Sequence, residues 1–133
     1  MESSHCIVDS SIFVAFYRDV DSQHTDALRV MRELADYTLV VHPYVIQETA
    51  TILAYRADIA VAKQFLTDIS TTSNVIIPAV DIRYDIGRFI AANKKMSFTD
   101  IALVGLAQTS RARIVTFDNQ ILSLFREKWL DTI

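Results

Sequence analysis

Residues 96–107 constrain the fold of this chain more than any other stretch, because they are apolar on nearly every face yet include a carboxylate. They read Met-Ser-Phe-Thr-Asp-Ile-Ala-Leu-Val-Gly-Leu-Ala. With about 3.6 residues per turn, Asp100 shares one stripe of the predicted helix with Met96, Leu103, Val104 and Ala107. A helix that is apolar all round is buried, and a buried carboxylate without a partner is costly. We therefore expect Asp100 to face a crevice in which something compensates its charge.

Length and composition are those of one compact domain. The 133 residues are 51% hydrophobic, and a chain of this size buries roughly two-thirds of its unfolded surface. No apolar run reaches the ~18–20 residues that span a bilayer, and the N-terminus lacks the basic region of a signal peptide. The single cysteine, Cys6, cannot form an internal disulfide. We expect a single domain over residues 1–133 in a reducing, cytoplasmic setting.

Short apolar strands alternate with helices along the chain. The strands are predicted at residues 6–9, 38–41, 75–77 and 113–117. The helices are predicted at residues 10–17, 22–35 (capped by Asp21 or Ser22), 43–56, 59–69, 82–92, 96–107 and from 119 onward. Trp129 and Leu130 suggest a small edge strand. This alternation indicates an α/β fold, a three-layer α/β/α sandwich around a short, mainly parallel sheet. Ligands of such sheets bind outside the carboxyl ends of the strands.

Four acids lie on these apolar elements. Asp9 ends the first strand, Asp118 follows the last one, Glu48 lies on the helix after the second strand, and Asp100 begins the buried helix. Each has a structural explanation when taken alone: Asp9 and Asp118 as helix caps, Asp100 in a capping box with Ser97, and Glu48 in an ion pair with an arginine. Capping does not explain why all four occur at corresponding ends of buried elements.

The open-sheet rule would bring the four carboxylates together, where they repel one another. Two like charges 4 Å apart cost about 1 kcal/mol in water and about 4 kcal/mol at an effective dielectric of 20. Such a cluster needs protons or cations, and oxygen-only ligands select hard ions such as Mg²⁺ or Mn²⁺. The three histidines and Cys6 are scattered and match no zinc-binding spacing.

Four short motifs resemble those of PIN-domain nucleases, in the same order and on the same elements. They are Ile-Val-Asp-Ser-Ser at 7–11, Gln-Glu-Thr at 47–49, Ser-Phe-Thr-Asp-Ile-Ala at 97–102 and Val-Thr-Phe-Asp at 115–118. The resemblance covers essentially the whole chain, and its size and layout are most similar to VapC-type toxins of toxin–antitoxin pairs. The chain departs from many relatives in having Asn-Lys-Lys-Met at 93–96, where they have a glycine.

The resemblance implies a metal-dependent endoribonuclease, in which Mg²⁺ or Mn²⁺ activates a water for in-line attack on an RNA phosphodiester. The catalytic and metal-binding acids would be Asp9, Glu48, Asp100 and Asp118. We expect Asp9 and Asp100 to ligate a metal directly. Glu48 would either ligate a metal or orient the attacking water, and Asp118 would support a second position. The accompanying hydroxyls that orient a carboxylate or a water would be Ser10, Ser11 and Thr116.

The basic residues are concentrated between residues 83 and 113, where six of them face two acids. The net charge of −3 argues weakly against nucleic acid, so this segment is either a set of solvated helix faces or a basic rim. As a rim it would hold RNA phosphates through Arg88, Lys94 and Lys95. Single-stranded or looped RNA would be the substrate, because an edge site cannot easily enter an A-form groove.

The resemblance also implies partners, a homodimer and a cognate antitoxin protein. The apolar residues Ile12, Phe13, Phe16 and Tyr17 would form either a partner surface or core.

Two other functions fit the sequence less well. An aspartyl phosphatase is disfavoured because Ser11 stands where such enzymes have a second acid. A signal-receiver domain is disfavoured because Asp118 is followed by Asn119 and not by a lysine. A PIN-like RNA-processing nuclease outside a toxin system and a catalytically inactive RNA- or protein-binding module remain alternatives.

Overall fold

The computed structural model describes residues 4–122, which alternate between strands and helices as predicted. The strands are β1 (His5–Val8), β2 (Thr38–Val40), β3 (Val75–Ile76) and β4 (Arg113–Val115). The helices are α1 (Ser10–Tyr17), α2 (His24–Glu33), α3 (Pro43–Arg56), α4 (Ile59–Thr71), α5 (Ile82–Ala91) and α6 (Phe98–Ser110). Residues 119–122 are also helical.

The four strands form one parallel sheet in the order β3-β2-β1-β4. Ile7 of β1 pairs with Val40 of β2 on one side and with Ile114 of β4 on the other. The predicted α/β/α fold is therefore confirmed. The chain builds outward from β1 to β3 and then returns to place β4 on the other side of β1. This reversal of strand order makes the carboxyl ends of β1 and β4 the expected ligand site.

Helix α6 is buried, as its apolar sequence predicts. Its residues 101–105 and Ala107 are all buried, and Leu103, Val104 and Ala107 join a core that includes the fully buried strand residue Ile7. Ser97 caps this helix, since its hydroxyl accepts a hydrogen bond from the Asp100 N–H at 3.0 Å. The helix begins at Phe98, two residues later than predicted, because this cap fixes its first turn.

Several local predictions differ from the structure, among them the ends of α4 and α6, which lie two and three residues later than predicted. Helix α2 begins at His24 with Gln23 as its N-cap residue, because Asp21 is occupied by hydrogen bonds from the Gln23 N–H and Arg18. All four strands end one or two residues early, and β1 also begins one residue early. Ile12 and Phe13 are core residues, so a partner surface at those two positions is wrong.

The edge strand predicted at Trp129 and Leu130 lies outside the described residues. Within residues 4–122, no helix combines the length and the apolar character needed to cross a membrane.

Candidate active site

The ends of β1 and β4 bring Asp9 next to the segment that carries Asp118. The Asp9 N–H donates to the Val115 carbonyl at 3.0 Å, which extends the strand pairing by one residue. The Thr116 hydroxyl then donates to Asp9 Oδ2 at 2.7 Å and accepts from the Asp118 N–H at 2.9 Å. One buried hydroxyl therefore connects two of the predicted acids.

Asp9 is held on one oxygen only. It is 4% exposed, and its Oδ2 accepts a second hydrogen bond from the Ser11 hydroxyl at 2.9 Å. The Ser11 oxygen in turn accepts from the Phe117 N–H at 3.0 Å. Within residues 4–122, Oδ1 of Asp9 accepts no hydrogen bond. Two hydroxyls thus fix the carboxylate and leave its second oxygen for a ligand.

Helix α3 positions Glu48. Its N-terminus is fixed by Pro43 in the first turn and by His42, whose Nδ1 accepts from the Tyr44 N–H at 3.0 Å. Burial lowers the pKa of His42, although the Asp85 charge opposes this effect, so the ring stays neutral and can accept. Glu48 Oε1 then accepts from the Ser10 hydroxyl at 2.7 Å, which connects α3 to the first residue of α1.

The capping explanation holds for Asp118 and Asp100 but not for Asp9. Asp118 Oδ1 accepts from the Gln120 N–H at 2.8 Å, and Asp100 lies in the first turn capped by Ser97. Asp9 occupies the N-cap position of α1 without making a side-chain cap hydrogen bond. Its carboxylate is therefore directed to the hydroxyls at the sheet edge and not to the helix.

Asp100 is influenced by all three other acids. Its pKa is raised from the ordinary value of 3.8 to about 6. Burial is the largest cause, followed by the charges of Asp9 and Asp118, while Glu48 raises it less and a hydrogen bond with Ser97 lowers it. Coulombic effects of this kind require proximity. The charges of Asp9, Asp118 and Glu48 therefore all reach Asp100.

The carboxylates interact electrostatically without closing around a common point. Among residues 4–122, no three His, Cys, Asp or Glu side chains are grouped closely enough to hold a metal ion. Asp9, Glu48 and Asp118 each use one oxygen in a local hydrogen bond and keep the other free within the described chain. This set of oxygen donors fits a hard divalent cation.

Two of the predicted basic residues line a cleft beside α6. Arg88 and Lys94 form part of this cleft of about 490 Å³, which also includes Ile101, the residue after Asp100, and Lys95 is exposed. Arg88 already has a structural role, because its Nη1 lies 3.9 Å from Oδ1 of the buried Asp85. Its guanidinium also packs against Gly105, whose added Cβ would lie only 2.6 Å from that nitrogen.

The sequence did not predict a partly buried contact that links three helices near the site. The Tyr44 hydroxyl on α3 donates to Asp85 Oδ2 on α5 at 2.8 Å, and the Tyr44 ring packs on Phe98 at the start of α6, with centroids 5.7 Å apart. Asp85 is 6% exposed. The only signal in the sequence was the spacing of Asp85 and Arg88, three residues apart on one helix.

Known proteins share this architecture. The crystal structure of VapC20 from Mycobacterium tuberculosis, described as a toxin that cleaves the sarcin–ricin loop, superposes with a TM-score of 0.80. The match covers 90% of this chain and 94% of VapC20 at 18% sequence identity, and at that identity it shows a shared fold. No curated protein matches the chain. The family model of the PIN domain matches residues 6–126, and the chain therefore belongs to the PIN-domain family, a family of nucleases.

Proposed function

We propose that this chain is a metal-dependent endoribonuclease that hydrolyses RNA phosphodiester bonds, the cytoplasmic toxin of a type II toxin–antitoxin pair. We also propose that residues 1–133 form one PIN-like domain. The observation that carries the enzymatic proposal is the meeting of Asp9 and the Asp118 segment at the ends of β1 and β4, where the Thr116 hydroxyl bonds both. The raised pKa of Asp100, to which Asp9, Asp118 and Glu48 all contribute, supports it. The shared fold with VapC20, a toxin that cleaves the sarcin–ricin loop, supports a looped RNA as the substrate.

The four acids would hold Mg²⁺ or Mn²⁺. Asp9 and Asp100 would be direct ligands, Glu48 would ligate a metal or orient the attacking water, and Asp118 would support a second position. The bound metal would lower the pKa of a water and stabilise the charge that develops on the phosphate.

The hydroxyls of this chain would keep the acids in place. Ser11 and Thr116 hold Asp9 through Oδ2, and Ser10 holds Glu48 through Oε1. Hydrogen bonds to ligating carboxylates fix their orientation, and their loss commonly reduces metal affinity 10- to 100-fold. We propose this role for all three hydroxyls.

Lys94 and Lys95 would bind RNA phosphates, with a smaller contribution from Arg88, which already pairs with Asp85. Such binding weakens as salt concentration rises, because each neutralised phosphate releases counterions. We expect Lys94→Ala to weaken RNA binding and to reduce the slope of log K against log salt by about 0.7, the value for one contact to a single strand.

The direct test is cleavage of a panel of single-stranded and hairpin RNAs with Mn²⁺ or Mg²⁺, compared with EDTA. We expect metal-dependent cleavage by the wild-type protein and none by Asp100→Asn. Asp36→Asn is the matched control, since it removes an exposed carboxylate that has no hydrogen bond or ion pair within the described chain. A folded wild-type protein that cleaves no RNA on the panel would favour the alternative, an inactive binding module.

The proposed partners are a second copy of this chain and an antitoxin protein. Helix α5 exposes four large apolar side chains that share one face at helical spacing, and we propose this face for contact with a partner. They are Ile82, Ile86, Phe89 and Ile90. We expect Ile90→Lys to shift a dimer to monomer in light scattering, whereas Val20→Lys, at an equally exposed apolar position, leaves it dimeric. A small DNA-binding protein encoded just upstream would support a toxin over an RNA-processing nuclease outside a toxin system.

A further inference from the structure

A second cleft, of about 550 Å³, opens between α3 and the start of α6. Its volume is within the range of small-ligand sites. It adjoins the acids directly: Glu48 forms part of its wall, and so does Thr99, the residue before Asp100. A group bound in this cleft would therefore lie next to the reacting centre.

Two aromatic rings, those of Tyr44 and Phe98, form one side of the cleft. They pack against each other at an interplanar angle of 49°. The Tyr44 hydroxyl is fixed by its hydrogen bond to Asp85, and burial together with this bond raises its pKa to about 12, so it stays protonated. The Phe98 ring also contacts Phe89, which does not line the cleft, with ring centroids 5.6 Å apart. The hydrogen bond of Tyr44 and its packing on Phe98 hold the two rings of the cleft as a surface for stacking.

The cleft is also lined by polar groups that are available to bind a ligand. They are the Gln47 amide and the hydroxyls of Thr51 and Thr99. None of the three side chains makes a hydrogen bond to residues 4–122. Amides and hydroxyls both donate and accept, as the edges of unpaired nucleobases require.

The lining of this cleft includes no cation that could hold a phosphate. Among the described residues that line it, Glu48 carries the only charge. The cations Arg88 and Lys94 line a separate cleft. The aromatic and polar lining therefore favours a neutral aromatic ligand with polar edges.

We propose that this cleft is a nucleobase subsite, which receives one unpaired base of the RNA beside the scissile phosphate. The base stacks on the Tyr44–Phe98 wall, and Gln47 and Thr51 contact its edge. The subsite rests on the proposed function, because it takes RNA as the substrate. The cleft would be the part of the enzyme that selects a preferred base.

The test measures binding of fluorescein-labelled single-stranded RNA hexamers to the Asp100→Asn protein, with an abasic nucleotide placed at each position in turn. We expect one abasic position to weaken binding about 5- to 150-fold, the range for one stacked base. We expect Phe98→Leu to weaken binding of the intact hexamer to a similar extent. Combining Phe98→Leu with the abasic hexamer should weaken binding little more than either change alone. Phe89→Leu, which touches the same ring from outside the cleft, leaves the Kd within about twofold, because it removes no stacking surface.

Gln47→Ala provides a second variant at an exposed position, and we expect it to change the preferred base at that same nucleotide. The proposal is overturned if Phe98→Leu behaves like Phe89→Leu, if its effect and the abasic effect are independent, or if the protein binds none of the hexamers. Base-dependent binding by a wild-type protein without metal-dependent cleavage would instead overturn the ribonuclease function and leave the subsite standing.

Discussion

Asp100→Asn should stabilise the metal-free protein above pH 6 while it abolishes cleavage. The pKa of Asp100 rises from 3.8 to about 6 on folding, so the folded chain binds the proton more tightly than the unfolded chain. This contribution to stability is fully present below about pH 4 and is lost as the pH rises through about 6. A shift of this size corresponds to about 3 kcal/mol, which solvent screening of a partly exposed carboxyl reduces to about 1–2 kcal/mol. Asparagine keeps the shape without the charge.

The assay is urea unfolding of the wild-type and Asp100→Asn proteins in EDTA at pH 4 and pH 7.5, with Asp36→Asn as control. We expect the unfolding free energies of wild type and Asp100→Asn to agree at pH 4. At pH 7.5 the variant should be more stable by about 1–2 kcal/mol. A variant less stable than wild type at pH 7.5, or a difference that does not change with pH, would show that Asp100 mainly supports the helix and would refute this reasoning.

The remaining predictions concern contacts around the site. Thr116→Val removes the hydroxyl that binds Asp9 and Asp118. We expect this variant to lose about 1–3 kcal/mol of unfolding free energy in urea titrations. An unchanged urea midpoint would contradict this expectation. Gly105→Ala would displace the flexible end of the Arg88 side chain from Asp85, so we expect the lost ion pair to offset much of the gain of about 1 kcal/mol in helix propensity and leave the thermal midpoint little changed. Its control is Gly87→Ala, whose Cβ meets nothing within 4 Å. This variant should gain up to about 1 kcal/mol of unfolding free energy. An equal rise in thermal midpoint for both variants would show that Arg88 has no such role.

Patterns with a local physical cause could be predicted from the sequence. The short apolar strands predicted the parallel sheet, because strands buried on both faces have few polar positions. The end of each strand then predicted where Asp9 and the Asp118 segment would lie. The Ser97 cap was predictable because its spacing to Asp100 is set by helix geometry alone.

Contacts between distant elements could not be predicted in this way. The hydrogen bond from Tyr44 to Asp85 joins helices 41 residues apart, and no periodicity encodes that pairing. The packing of Arg88 on Gly105 likewise depends on how α5 and α6 meet. The start of α2 was mispredicted because Asp21 bonds within its own turn, where side-chain hydrogen bonds compete with capping.

The central claim, that acids from four elements form one cation site, is tested most directly by titrating Mn²⁺ into the protein in a calorimeter. We predict saturable binding to the wild-type protein and to Asp36→Asn, with binding strongly weakened in both Asp9→Asn and Asp100→Asn, since each removes a proposed ligand. Equal Mn²⁺ affinity in all four folded proteins, or no binding to any of them, would contradict the claim.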